Sequence, residues 1–245
     1  MAYTTIDNPE DYFNTVLWTG DDASDKSISG VGFQPDLVWA KNRSDSSDHQ
    51  LIDSSRGAGK ILRTGANGNG AELTRSVDAG AGGLQNFESD GFDIHSTTNN
   101  TNLNDDGELN VAWCWKCNGG TRTTNTESGN NPAGGYQVNT TAGFSIVDYT
   151  GTGGAGTMAH GLGVVPDTIW VKNRDQADNW AIYTSAKGNT HYGIFNTYGN
   201  WEDDDTVWND TSPTSSVFTI GTSHLTNADG EKYVAYCFTN IQGYQ

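Results

Sequence analysis

The feature of this sequence that most constrains its fold is an internal repeat. The block Pro35–Arg43 (PDLVWAKNR) recurs 131 positions later as Pro166–Arg174 (PDTIWVKNR). Towards the end of each copy, Val111–Trp115 (VAWCW) matches Val234–Phe238 (VAYCF) at a separation of 123 positions. Because the matching blocks occur in the same order, the chain is predicted to contain two tandem copies of one unit, of which the first is the longer.

The repeat divides the chain into three predicted segments. Residues 1–118 form the first unit, and residues 142–245 form the second. Residues 119–141 lie between them, and their high content of Gly, Asn and Thr predicts a flexible or loosely packed linker.

Composition and residue alternation indicate that each unit is all-β. The chain has 31 Gly, and Gly, Asn, Asp, Ser and Thr favour turns over helices. In the last matched block of the first copy, Val111, Trp113 and Trp115 alternate with smaller residues, a period of two that predicts a strand. The small face, Ala112 and Cys114, lets a second sheet approach, as in the central strand of a sandwich. We therefore predict two tandem β-sandwich (jelly-roll) units.

A turn signal precedes this strand in both copies, as Asp106-Gly107 and as Asp229-Gly230. Asp-Gly is typical of a tight hairpin. We therefore expect the last strand to pair with the strand before it, at Gly91–His95 in the first copy and at Ser216–Ile220 in the second.

The charge of the chain argues against several partners. It has 30 acidic and 13 basic residues, for a net charge of −17. Nucleic acid and anionic lipid repel such a surface, and no run of about 18 apolar residues predicts a membrane-spanning helix. The start of the chain, Met1–Ile6, lacks the features of a secretory signal. We expect a protein made in a cytoplasm, with no nucleic-acid partner and no membrane insertion.

Catalytic and metal-binding patterns are weak. The five His residues are scattered, and the predicted strands carry almost none of the paired carboxylates that a glycosidase needs. The three Cys residues predict small buried thiols rather than a disulfide framework. We expect no catalytic residue, no cofactor and no resident metal. The acidic run Asp203, Asp204 and Asp205 is a weak calcium candidate, for which Asx-rich turns are the alternative.

Aromatic residues supply the candidate recognition surface. Trp39 and Trp170 occur in both copies, which favours a role in the fold. A second set lies in a polar, Asn- and Asp-rich part of the second copy, as expected of carbohydrate or protein recognition; the alternative is packing beneath a long loop. Its members are Trp180, Tyr183, Tyr192, Tyr198, Trp201 and Trp208.

Several of these blocks carry a resemblance to a known family. They include Gln34–Trp39 followed by Lys41-Asn42-Arg43, Asp53–Gly57, and Trp208–Phe218 (WNDTSPTSSVF), of which the last is the most specific. Over nearly its whole length the chain resembles repeat-bearing structural proteins of tailed phages, especially phages of marine bacteria and cyanobacteria, which are generally labelled tail fibre or minor virion proteins. The resemblance implies lectin-like sandwiches, a place on the virion and no catalytic residues.

We therefore expect a non-enzymatic structural protein on the surface of a bacteriophage particle, as a capsid decoration or a short tail fibre or knob, contacting the host surface. Its partners would be capsid or tail proteins, a host surface glycan, and further copies of itself in a homo-oligomer, a trimer by analogy. The alternative is a carbohydrate-binding receptor-recognition module of a tail fibre. A glycan hydrolase is the third hypothesis.

Overall fold

The computed structural model describes residues 6–65, 68–75, 83–95 and 103–242 of the chain. These residues are almost entirely β-strands and turns. They form two compact units. The first comprises the described residues of 8–67 and 72–120, and the second comprises those of 121–245 together with 6–7 and 68–71. None of the helices in the described residues is long and apolar enough to cross a membrane.

The described part of the first unit contains nine strands after a short 3-10 helix at Pro9–Asp11. The strands are β1 (Phe13–Thr19), β2 (Asp25–Ser29), β3 (Leu37–Asn42), β4 (Gln50–Asp53), β5 (Lys60–Arg63), β6 (Leu73–Thr74), β7 (Gly83–Glu88), β8 (Gly91–His95) and β9 (Leu109–Trp115).

Two antiparallel sheets enclose the core of the first unit. The larger sheet has the order β1-β9-β3-β4-β5-β6, and the smaller has the order β2-β8-β7. Val16, Val38 and Cys114 of the larger sheet share one buried apolar cluster with Ile28 and Phe92 of the smaller sheet. Since both sheets contribute side chains to one core, the unit is a β-sandwich.

The second unit is built in the same way and has two short helices. Its described strands are β10 (Thr123–Asn125), β11 (Gly134–Asn139), β12 (Phe144–Thr150), β13 (Gly156–Ala159), β14 (Thr168–Asn173), β15 (Ala181–Thr184), β16 (His191–Ile194), β17 (Glu202–Asp203), β18 (Val217–Ile220) and β19 (Lys232–Phe238). The helices are α1 (Asp205–Trp208) and α2 (His224–Asn227). The larger sheet has the order β10-β11-β12-β19-β14-β15-β16-β17, and β13 pairs with β18.

The two larger sheets share strand order and register. The order β1-β9-β3-β4-β5-β6 corresponds, strand for strand, to β12-β19-β14-β15-β16-β17. Trp39 lies opposite Trp113 in the first sheet, and their sequence counterparts Trp170 and Tyr236 lie opposite each other in the second. The prediction of a central strand with its small face towards the core is confirmed, because β9 and β19 each have a strand on both sides and place Ala and Cys in the core.

The structure corrects the predicted linker over residues 119–141. In this segment β10 and β11 extend the sheet of the second unit, and β11 pairs along its whole length with β12. A Cβ atom on Gly134 would lie 2.1 Å from the carbonyl oxygen of Asp148. Glycine at this position therefore allows the two strand backbones to approach closely, whereas the prediction interpreted the glycines of this segment as a sign of flexibility.

The predicted hairpin is also wrong. The strand at Gly91–His95 pairs with β2 and β7 in the smaller sheet rather than with β9. The Asp-Gly turn instead contacts the end of β1: the Gly107 N–H donates to the Gly20 carbonyl (3.0 Å), and the Gly20 N–H donates to the Glu108 carbonyl (2.8 Å). Gly230 and Gly151 form the equivalent contact in the second unit, at 2.9 Å.

This contact explains a glycine that both copies share. A Cβ atom on Gly20 would lie 2.0 Å from the carbonyl oxygen of Asp105. A Cβ atom on Gly151 would lie 2.1 Å from that of Ala228. Both distances are far below van der Waals contact with a backbone atom, so each turn packs against β1 or β12 only because the side chain is absent.

The repeated Pro-Asp pair holds a loop in each unit. Asp36 is fully buried, and its carboxylate accepts hydrogen bonds from four donors. These are the N–H groups of Cys117 (2.6 Å), Gly119 (3.1 Å) and Gly120 (3.1 Å) and the hydroxyl of Ser54 (2.6 Å). Asp167, its counterpart, accepts from the hydroxyl of Ser185 and the N–H of Asn240, both at 2.8 Å.

The repeated Lys-Asn pair fixes the turn that follows β3 and β14. Asn42 donates to the carboxylate of Glu108, and Asn173 donates to that of Glu231. The buried Lys172 ammonium donates to the carbonyls of Asn173 (2.6 Å) and Gln176 (3.3 Å). Burial lowers the pKa of Lys172 to about 8, against the opposing charge of Asp178. These repeated polar residues therefore stabilise the fold.

We expect Gly20→Ala and Gly151→Ala each to destabilise the chain by about 2 kcal/mol or more, because each methyl group would overlap a carbonyl oxygen that belongs to the backbone. Urea unfolding followed by fluorescence measures the effect. Gly199→Ala is the matched control, since the nearest atom to its added Cβ lies at 3.4 Å. Equal stability of the Gly20 and Gly199 variants would contradict the close approach.

We expect Asp36→Asn to destabilise the chain by about 3 kcal/mol and Asp167→Asn by about 1 kcal/mol. The amide loses the negative charge and turns an NH₂ group towards hydrogen-bond donors, of which Asp36 has four and Asp167 has two. Urea unfolding of the two variants side by side tests the order. A larger loss of stability in the Asp167 variant than in the Asp36 variant would contradict the prediction.

Candidate functional site

The predicted aromatic recognition set is largely inside the molecule. Tyr183, Tyr192 and Trp208 belong to the buried core of the second unit, and Trp180 is fully buried. Trp180 packs against Tyr236, with ring centroids 6.2 Å apart. The structure therefore corrects the prediction for these four residues, because their rings are buried within the second unit.

The other two members of the set are accessible. Tyr198 is fully exposed, and Trp201 is partly buried, with the Lys187 ammonium 5.9 Å from its ring centroid. With the remaining four rings buried, the six residues do not form one exposed aromatic surface.

The acidic run in the second unit has a structural role. Asp204 is the N-cap of α1, and its carboxylate accepts from the N–H (2.9 Å) and the hydroxyl (2.6 Å) of Thr206. Asp203 ends β17 and Asp205 begins the helix. Within the described residues, no three His, Cys, Asp or Glu side chains converge in a way that would hold a metal ion. Asp203, Asp204 and Asp205 thus form the end of a strand and the start of a capped helix, rather than a converging set of calcium ligands.

The thiols and the most deeply buried histidine serve the core. Cys114, Cys117 and Cys237 are buried, as predicted, and burial raises the pKa of Cys114 and Cys237. The Nε2 atom of His160 lies 3.1 Å from the Thr214 carbonyl, while its Nδ1 atom accepts from the Leu162 N–H at 3.2 Å. Burial lowers the pKa of His160, so the neutral ring is the form that the folded chain holds.

A polar cleft of about 390 Å³ lies in the second unit. Its lining includes Arg122, Asn125, Asp148, Arg174 and Lys232. Asp148 and Lys232 lie on neighbouring strands, β12 and β19, while Arg122 directly precedes β10 and Arg174 directly follows β14. The extension of the sheet by β10 and β11 therefore creates this cleft.

Small residues and backbone contacts shape the cleft. Thr150 lies opposite Lys232 in the sheet, and the Thr150 N–H donates to the Ala133 carbonyl at 3.0 Å. The Arg174 N–H donates to the Lys232 carbonyl at 2.7 Å, so these two basic residues are neighbours across adjacent chain segments. Ala133, Gly134 and Thr150 leave a depression among the longer side chains.

An ion pair forms one side of the cleft. The Arg122 guanidinium binds the Asp148 carboxylate through two contacts, Nε–Oδ1 at 2.8 Å and Nη2–Oδ2 at 2.6 Å. A Cβ atom on Gly135 would lie 2.7 Å from the Arg122 Nε atom. Glycine at 135 thus leaves room for the guanidinium to lie across β11 and reach Asp148.

The cleft carries excess positive charge in an acidic chain. Its lining includes three cationic side chains, those of Arg122, Arg174 and Lys232, and one carboxylate, that of Asp148. The Lys232 side chain has no hydrogen-bond or ion-pair partner among the described residues, although its backbone N–H donates to Asp175. Three of the chain's 13 basic residues thus line one cleft. This concentration favours an anionic ligand.

The corresponding surface of the first unit has a different character. At the repeat offsets, Leu17 takes the position of Asp148 and Leu109 that of Lys232, and these leucines are 64% and 46% exposed. Arg43 remains as the counterpart of Arg174. The copies therefore differ in charge at two positions of this surface, and a residue-by-residue comparison of the two copies is the sequence signal that would have located the cleft.

We expect the stability of the chain to fall as the pH is lowered below about 6.5, the pKa of an unfolded histidine. Because the folded chain holds His160 with a lowered pKa, the unfolded chain binds a proton that the folded chain does not. His160→Gln should reduce the change in unfolding free energy between about pH 7 and pH 5.5, measured by urea titration. His224→Gln, at an exposed side chain, is the control. An unaltered pH dependence in the His160 variant would contradict this assignment.

No match was found among curated proteins or among solved structures. One family model, described as a domain of unknown function, DUF7483, matches residues 8–245 and therefore spans both units and the cleft. The chain belongs to the DUF7483 family.

Proposed function

We propose that this chain is a non-enzymatic structural protein on the surface of a bacteriophage particle, as a capsid decoration or a short fibre or knob. The observation that carries the proposal is that the residues shared by the two copies and the residues at which the copies differ have different roles. The polar residues that they share stabilise the fold, as at Asp36 and Asp167, while the differences at Leu17 and Leu109 lie on an accessible surface. This pattern supports a protein that presents surfaces to partners.

The state of the reactive side chains supports a non-enzymatic role. The thiols of Cys114 and Cys237 are buried with raised pKa values, which disfavours the thiolate that nucleophilic catalysis uses. Both ring nitrogens of His160 contact backbone groups. A glycan hydrolase is therefore the least supported of the three hypotheses.

The proposed partners are other capsid or tail proteins, further copies of the chain in a homo-oligomer, and a glycan of the host surface. The two exposed leucines of the first unit suit contact with another protein better than contact with water. The proposed location is the virion surface, reached after synthesis in the host cytoplasm.

A carbohydrate-binding module for receptor recognition is the second candidate. The buried rings of Trp180, Tyr183, Tyr192 and Trp208 count against the aromatic platform on which that hypothesis first relied. The cleft lined by Arg122, Arg174 and Lys232 favours it on different grounds, because it offers charged and neutral hydrogen-bond donors in a concave site.

Immunogold labelling of purified phage particles with an antibody to this chain tests the proposal. We expect label on the particle surface, and none on particles assembled without the chain. Those particles should retain packaged DNA and lack a surface feature in a cryo-EM map. Absence of the chain from purified particles, or unchanged maps without it, would overturn the proposed function.

A further inference from the structure

We propose that the outer edge of β1 pairs antiparallel with the same edge of β1 in a second copy of the chain, with the two Leu17 residues opposite each other. This inference rests on the function proposed above, in which copies of the chain associate. It names the surface and the strand register through which two copies meet.

The backbone hydrogen bonds of β1 show which groups face its outer edge. On either side of the strand, the Lys116 N–H donates to the Tyr12 carbonyl and the Gly20 N–H donates to the Glu108 carbonyl, both at 2.8 Å. Bonded pairs alternate along an antiparallel ladder, so the even-numbered residues of β1 bond to β9. The odd-numbered residues therefore direct their N–H and C=O groups away from the sheet.

This outer edge is open in the part of the chain that the structure describes. β1 is the last strand of its sheet, and the backbone groups of Leu17 and Thr19 have no hydrogen-bond partner among the described residues. The Thr15 N–H donates to Oδ1 of the neighbouring Asn14 at 2.8 Å. The side chains of Thr15, Leu17 and Thr19 are exposed, so another strand can reach the edge.

Other strands at sheet edges have protections that β1 lacks. β6, β10 and β17 are only two or three residues long. β2 carries Asp25 and Lys26, and the pairing of β7 with β8 is irregular between Leu84 and Asn86. Short, charged or irregular edges discourage pairing with another chain. β1 has seven residues, pairs regularly with β9, and contains no charged residue, Gly or Pro.

The second unit shows that the corresponding edge accepts a strand. β12 is the counterpart of β1, and β11 of the same chain pairs along its outer side. The Thr150 N–H, at the position of Thr19, donates to the Ala133 carbonyl at 3.0 Å. The repeat therefore offers the same edge twice, and among the described residues only the edge in the second unit is paired.

Charge favours self-pairing of β1 over self-pairing of β12. Asp148 stands at the position of Leu17 in the second unit and binds Arg122. Two such carboxylates opposite each other would repel, whereas two leucines do not. Copies of a chain with a net charge of −17 repel one another at long range, so their contact is favoured at an uncharged surface. The strand β1 is such a surface.

The side chains of β1 are self-complementary in the proposed register. With Leu17 opposite Leu17, Thr15 of each copy lies opposite Thr19 of the other, and like pairs of this kind stabilise a sheet. Val111 lies beside Leu17 within each sheet, so the pairing forms one apolar row across both copies. It also removes Leu17, which is 64% exposed, from water. Because both copies use the same edge, the assembly closes at two copies.

Sedimentation of the full chain tests the inference. We expect a monomer–dimer equilibrium with a dissociation constant on the order of 100 µM or below, because one pair of strands buries less area than an obligate dimer interface. Added NaCl should strengthen the dimer, since it screens the repulsion between acidic copies. A chain that stays monomeric at ~1 mM, or a dimer that salt dissociates, would overturn the proposal.

Charged variants test the contact at Leu17. Leu17→Asp copies the residue of the second unit and should weaken the dimer by about tenfold or more, with circular dichroism confirming the fold. Val164→Asp adds the same charge at a residue that is 50% exposed and should leave the affinity unchanged. A mixture of Leu17→Asp and Leu17→Lys should recover a heterodimer, because opposite charges then face each other. Equal loss in the Val164 variant, or no recovery in the mixture, would contradict the pairing.

Cysteine variants test the register. Leu17→Cys should form a disulfide-linked dimer on mild oxidation, because Cα atoms of a hydrogen-bonded pair lie about 5.5 Å apart. Thr15→Cys is the matched control, since the two Thr15 residues are offset by about 13 Å along the strands. Thr15→Cys and Thr19→Cys should link to each other when mixed. The native thiols are buried and do not compete. Linkage of Thr15→Cys alone as fast as that of Leu17→Cys would reject the register.

Further outcomes separate this inference from the proposed function. A trimer that survives Leu17→Asp would assign self-association to another surface, and association only with a capsid or tail protein would identify a different partner; both reject the inference. If immunogold labels the particle while the chain stays monomeric, only this inference is wrong. If the label is absent and the chain dimerises through Leu17, the virion proposal fails and the interface stands.

Discussion

The central strand of each larger sheet is the element on which the rest of the architecture depends. In β9 and β19, Ala and Cys face the core, and larger residues, several of them aromatic, face the other way. Tyr233 of β19 also faces the core, so the small residues are confined to the middle of the strand. Each of the two strands pairs on both of its edges. The matching registers around Trp113 and Tyr236 follow from this arrangement, since a slip of one residue would exchange the two faces.

Around this strand, repeated polar residues and glycines stabilise the turns, whose backbone groups are not paired within the sheets. Asp36 gathers backbone N–H groups, Asn42 and Asn173 bind carboxylates from the Asp-Gly-Glu turns, and Gly20 admits a carbonyl that any side chain would exclude. A buried carboxylate is stable only when such donors surround it. The conserved pattern between copies therefore records how the chain folds, and function is to be sought where the copies differ.

The main difference is the edge of the larger sheet. In the second unit, β10 and β11 continue the sheet beyond β12, and the Arg122–Asp148 pair joins the added strands to it. Arg174 and Lys232 also line the cleft beside this pair. In the first unit, Leu17 and Leu109 replace the charged pair at the corresponding positions, so one scaffold presents a charged cleft in one copy and apolar side chains in the other.

The sequence by itself determined the all-β class, the repeat and the small core-facing residues, because a period of two and matching blocks are local properties of the chain. It did not determine strand partners: Gly91–His95 joined the smaller sheet, and Gly134–Asn139 became a strand because β12 offered it an edge. Nor did it determine which aromatic side chains are exposed, since Trp180 and Trp208 are buried by elements distant in sequence. The cleft depended on the tertiary structure most of all, because Arg122, Asp148, Arg174 and Lys232 are separated along the chain and meet only when the sheet forms.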